Sequence, residues 1–197
     1  MENARRLFRI LGFATALLSA LLLAGCNEDT PETLAAQKAI AIESGEECHL
    51  CGMIITNYPG PKGQLYERGQ TKNLRFCSTR DMFAYWLDPE HKHNIQNAYV
   101  QDMTVVPWES ASIGRAIDAR HYIEARTALY VVGHSRRGAQ GPTLASFATK
   151  GAVDSFIASY GGQLRSFEQL DMDLISHMMS QLNTIPDSEV QESRRIG

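Results

Sequence analysis

Apolar residues along the chain fall into one long run, several short periodic bursts, and two polar stretches where they keep no period. The run covers residues 10–24. Residues 27–45 are polar and Ala-rich, contain Pro31 and lack aromatics, which predicts a tether with a helical patch around 34–42. After Pro186 the chain is charged and aperiodic, as expected of a disordered tail over 186–197.

Between these stretches lies an approximate repeat. The segments "RFCSTRDMFAYW" (75–86) and "SFATKGAVDSFI" (146–157) align without gaps, pairing Phe76 with Phe147, Ser78 with Thr149 and Met82 with Val153. Each predicts a helix, since Met82, Phe83, Trp86 and Leu87, then Val153, Phe156, Ile157 and Tyr160, recur at helical spacing. Ser78 and Thr149 stand where N-caps belong, and Asp81 three residues after Ser78 suggests a capping box. Pro89 closes the first helix and Gly161 with Gly162 the second. Strand-like pairs precede the helices, at 64–66 with 74–76 and at 129–132 with 144–147. A further strand follows each, at 98–100 and 163–167. The expected fold is α+β: two related β-β-α-β halves, residues 46–105 and 106–185, bridged near Pro107 and Trp108.

The long apolar run follows Arg5, Arg6 and Arg9 and is short for a membrane span, so it fits the core of a signal peptide over residues 1–25. It ends in Leu23, Ala24, Gly25 and Cys26, which resembles a bacterial lipobox. That resemblance implies cleavage before Cys26, lipidation there, and a periplasmic lipoprotein anchored to the inner or outer membrane. An ordinary signal peptide or an uncleaved anchor is the alternative.

Cleavage would leave 172 of the 197 residues, enough for one medium domain or two small subdomains. The whole chain carries net charge −3; losing Glu2 and three Arg makes it −5. No basic stripe appears, which argues against a nucleic-acid partner. With Cys26 lipidated, Cys48, Cys51 and Cys77 remain, an odd number that leaves a free thiol in an oxidising compartment. A bound metal would protect it.

The chemistry concentrates in "EECHLCGMII", residues 46–55. A c-type haem site needs His straight after the second Cys, but Gly52 stands there. Structural zinc needs four N or S ligands and would have to recruit Cys77 and a His. A thioredoxin-like pair opens a helix, which Gly52, Ile54, Ile55 and Pro59 do not continue. Copper(I) is soft and selects thiolate plus thioether, so Cys51 and Met53 flanking one glycine suit it. On an extended backbone those two side chains would point to one side.

The lipobox, "CHLCGM", "GPKGQ" (60–64), "FCSTRDMF" (76–83), "YVVG" (130–133) and "GAQGP" (138–142) together resemble the NosL family. The resemblance spans about 46–170 and implies the same pair of β-β-α-β halves. It also implies a binding protein rather than an enzyme: a periplasmic copper(I) chaperone. Its expected partners are nitrous oxide reductase, whose multicopper sulfide site it supplies, and an ABC-type maturation complex. Family members commonly carry Met where this chain has Gln140.

The metal ligands expected are therefore Cys51 and Met53, with Cys48 and His121 as further candidates. His121 would serve if the halves pack together. Cys77 opens the first helix, where the dipole favours a thiolate, or is a small buried residue. His49, His91, His93 and His134 read as loop residues, and His177, Met178 and Met179 as residues of a short, ordinary amphipathic helix. A periplasmic thiol-disulfide oxidoreductase using Cys48 and Cys51 is the alternative function.

Overall fold

The computed structural model describes residues 37–109 and 116–180, all within one compact unit, Gln37–Gly197. Strand β1 (Gly63–Glu67) and β2 (Asn73–Phe76) form an antiparallel hairpin with Gly63 opposite Phe76. Helix α1 (Thr79–Trp86) follows, and β3 (Ile95–Gln101) returns along the other side of β1. The second half repeats the plan: β5 (Leu129–Val132), β6 (Ala145–Phe147), α2 (Lys150–Tyr160) and β7 (Gln163–Arg165), with β5 central. A further helix, α3 (Met172–Ser180), packs on α1.

Both α1 and α2 start as their sequences require. Ser78 Oγ accepts the Asp81 amide at 3.0 Å, and Thr149 Oγ1 accepts the Ala152 amide at 3.3 Å. Gly161, at φ 71°, ends α2 in a backbone region that other residues avoid. Gly63 lets α1 sit down on β1: a Cβ there would meet the Met82 sulfur at 2.5 Å. The seat of α1 matters because its first turn carries the site.

One apolar core spans both halves. Phe76, Met82, Phe83 and Trp86 from the first pack with Tyr130, Leu144, Ile175 and Met178 from the second. Phe83 stacks on Trp86 and meets Tyr130 edge-on. Truncating such a ring costs about 3–5 kcal/mol. A smaller core, Trp108, Val131, Phe147 and Val153, lies under α2.

Two boundaries differ from expectation. Within the 106–124 segment, β4 (Tyr122–Glu124) pairs with β3, so the first sheet has four strands, ordered β2-β1-β3-β4. Residues 37–45, assigned from sequence to the tether, belong to the fold and are not helical. Gln64 both donates to and accepts from the Ile40 backbone, Tyr66 and Tyr99 hydroxyls bond the Lys38 and Gln37 carbonyls, and buried Ile42 bridges Ile117. The expected signal peptide, Cys26 and the tail over 186–197 lie outside the described residues. Among the described residues, no helix is long and apolar enough to cross a membrane.

Candidate metal centre

Residues 46–55 form a small hairpin rather than an extended strand. Glu47 bridges Ile54, the Cys48 amide donates to the Met53 carbonyl at 2.8 Å, and the Gly52 amide to the Cys48 carbonyl at 2.9 Å. Gly52 turns the chain at φ 72°, which a side chain would strain. Cys51 and Met53 therefore leave a turn, not one side of a strand.

The hairpin is pinned to the end of β2. The His49 amide donates to the Arg75 carbonyl at 2.8 Å, and Glu46 pairs with the Arg75 guanidinium. The His49 ring sits edge-on against Phe76 and Tyr85. Two residues beyond Arg75 lies Cys77, so this docking brings the C-x-x-C pair to the entrance of α1. One ligating atom each from Cys48, Cys51, Cys77 and Asp81 lie within 4.8 Å of one another. Cys48, Cys77 and Asp81 are buried and Cys51 is exposed.

The sulfurs are not equivalent. The neighbouring Cys77 side chain and the amides of Cys77, Cys51 and Leu50 favour the charged form of Cys48. Together these outweigh burial and pull it down to about 5, so Cys48 is the readiest thiolate. Cys77 is held far above the ordinary thiol range by the neighbouring Cys48 sulfur, by burial and by the Asp81 carboxylate. Its Sγ lies 3.1 Å from Asp81 Oδ2 and 3.5 Å from Cys51 Sγ. Loss of water raises the Cys51 thiol as well. All three cysteines are unbridged.

Asp81 is anchored from behind. Arg80, itself buried, donates from Nε at 3.1 Å and Nη2 at 2.9 Å to Asp81 Oδ1. Its Nη1 reaches the carbonyls of Gln140 and Pro142. Gln140 in turn donates from Nε2 to the Met53 thioether at 3.1 Å. The Gly-rich loop of the second half is thereby tied both to the α1 entrance and to the cysteine-bearing hairpin.

Of the residues singled out in sequence, Cys48 and Cys51 are brought together with Cys77, and Met53 faces Gln140. His121 is not brought to the cluster: it ends a turn at Ala119–His121 and lines a separate cavity of about 170 Å³ with Gln101 and Ile117. The α1 entrance supplies what sequence reasoning passed over. Asp81 read as half of a capping box, but its carboxylate serves Cys77 and Arg80 while only its amide serves Ser78. The available signal was Cys77 and Asp81 at i and i+4, one helical turn apart.

Fold and site define a class, a small α+β protein whose cluster of potential ligands, among the described residues, is sulfur-rich and exposed only at Cys51. Such a cluster suits a soft metal ion. The NosL family model matches residues 39–175, most of the chain, and the chain belongs to that family. It is 40% identical to the copper-binding lipoprotein NosL of Stutzerimonas stutzeri over 169 residues, 86% of this chain and 84% of that one. It is 33% identical to the copper-binding lipoprotein NosL of Achromobacter cycloclastes over 165 residues, 82% and 78% of the two chains. The crystal structure of the copper chaperone NosL from Shewanella denitrificans matches with TM-score 0.64 at 45% identity, covering 70% of this chain and 98% of that one. These relatives are named as binding proteins and a chaperone, not as enzymes.

Proposed function

We propose that the protein is a lipid-anchored copper(I) carrier of the bacterial periplasm, feeding copper to the multicopper sulfide site of nitrous oxide reductase with an ABC-type maturation complex. The observation that carries this reading is the convergence of three thiols at the entrance of α1, beside a hairpin that also bears Met53. Thiolates favour copper(I) over hard cations, and a thioether adds a neutral, weakly held donor. The names of the relatives support copper as the cargo and a lipoprotein as its carrier. The delivery partner rests on the family resemblance.

Handover would work by ligand exchange. The buried sulfurs of Cys48 and Cys77 hold the ion from within, while Cys51 is exposed, so an acceptor's His or Met can reach the ion on that side. Three cysteines and Asp81 would also suffice for a closed zinc site. Against that, the relatives are named for copper.

Anaerobic copper(I) titration against a competing chelator tests the reading, run beside zinc(II). We expect about one copper(I) per chain, weakened by Cys48→Ser, Cys51→Ser or Met53→Leu. Failure of the wild-type chain to bind copper(I), or zinc binding that folds an otherwise unfolded chain, would overturn it.

A further inference from the structure

Two cations lie wholly inside the molecule near the sulfur cluster, and they are held differently. Arg80 is matched by the Asp81 carboxylate. Lys62, with 0% of its surface exposed, forms no ion pair among the described residues. Its Nζ donates to the carbonyls of Tyr58 at 2.7 Å, Pro59 at 3.1 Å and Gly60 at 2.8 Å. Three carbonyls use its three N–H groups but do not cancel its charge, and an uncompensated buried ammonium is costly. Burial accordingly pushes Lys62 down to about 7, with Cys77 as the group pulling the other way. A methionine would fill a similar volume without the charge, but would leave those three carbonyls without their donor.

The position of Lys62 is tied to the site. The Thr79 amide donates to the Pro61 carbonyl, joining the lysine's loop to the turn that carries Cys77. The Lys62 amide donates to Gln101 Oε1 and its carbonyl accepts the Gln101 amide, fixing it at the start of β1. The loaded cluster needs a counter-charge. Each thiolate ligand brings one negative charge, copper(I) brings one positive, and Arg80 is already spent on Asp81.

We propose that Lys62 is an affinity-determining residue of the copper site: its buried ammonium, acting through Cys77, is the counter-charge that favours the loaded thiolate cluster over the empty one. The inference rests on the copper(I) reading above.

The test compares Lys62→Met, Cys77→Ser and the double variant in the full chain, measuring copper(I) affinity by chelator competition and thermal stability of the metal-free form. Lys62→Met should weaken binding about tenfold or more without a matching fall in the stability of the metal-free chain, relief of the buried charge offsetting the carbonyls left without a donor. In the Cys77→Ser background the same change should cost less than about twofold, since the partner thiolate is gone. Equal losses in both backgrounds, undiminished binding by Lys62→Met, or a fall in metal-free stability matching the loss would overturn the proposal. Should Lys62→Met fail to fold, Lys62→Gln keeps donors for the carbonyls without the charge. If neither folds, Nζ-labelled wild-type protein should show one shielded lysine ammonium resonance shift on loading, and no such shift would refute the idea. If the wild type binds no copper(I), the reading of the site fails; if it binds and the lysine is indifferent, only this inference fails.

Discussion

The two halves share a helix entrance, and only one of them has made a site of it. Aligned through their N-caps, Cys77 corresponds to Ala148, Arg80 to Gly151 and Asp81 to Ala152. In the first half Thr79, Arg80, Asp81 and Met82 are all buried; in the second, Lys150 is exposed and pairs on the surface with Asp154. The caps themselves are nearly the same. A β-hairpin followed by a capped helix is therefore a neutral frame. What makes the first one chemical is the hairpin of residues 46–55 laid across it, which the second lacks a counterpart for among the described residues.

The sharpest break of that comparison is Asp81→Ala, which gives the first helix the residue found in the second. Arg80 would be left charged and buried, and we expect about 3–5 kcal/mol of lost stability by urea unfolding. Cys77→Ala makes the matching exchange at the sulfur. It should weaken copper(I) binding by about a hundredfold or more in chelator competition while leaving Cys48 and Cys51 in place.

The next effect belongs to the second half. His134 packs edge-on to Trp108 and Phe156, and burial, helped by nearby Arg136, lowers it from 6.5 to about 4. Between those values the unfolded chain holds the extra proton, so stability is full above pH 6.5 and declines as pH falls towards 4. By pH 5 the decline should be about 2 kcal/mol, and His134→Asn should remove that share of the pH dependence measured by urea unfolding. Smallest is Lys150→Ala: an exposed i,i+4 pair contributes about 0.3–0.5 kcal/mol, against the several expected at Asp81. A thermal shift as large as that of Asp81→Ala would erase the contrast between the two entrances.

Much of the frame was legible in the sequence because its signals are local. Ser78, Thr149, Gly161 and the spacing of Met82, Phe83 and Trp86 each act within a turn or two of themselves. The C-x-x-C spacing also marked the hairpin that carries two of the three clustered sulfurs. The parts misread or passed over depend on partners distant in sequence. Residues 37–45 look like a linker until Gln64, Tyr66 and Tyr99 take up their backbone groups. Lys62 and Arg80 look like surface charge, since nothing in their own segments announces burial. The turn at Gly52 was hidden by a glycine that also suits an extended chain. His121 shows the converse: a plausible ligand by residue type, it was placed elsewhere by β4 joining β3.

Cys51 is the exposed sulfur of the three, and that asymmetry has a kinetic signature. Copper carried as proposed would be held from within by Cys48 and Cys77 and open at Cys51, so an acceptor's ligand would bind before the last of these lets go. Transfer should then be second order, its rate rising in proportion to acceptor concentration instead of levelling at a fixed off-rate. The direction of flow would be set by which protein, on the far side of that shared intermediate, holds the ion with the stronger sulfurs.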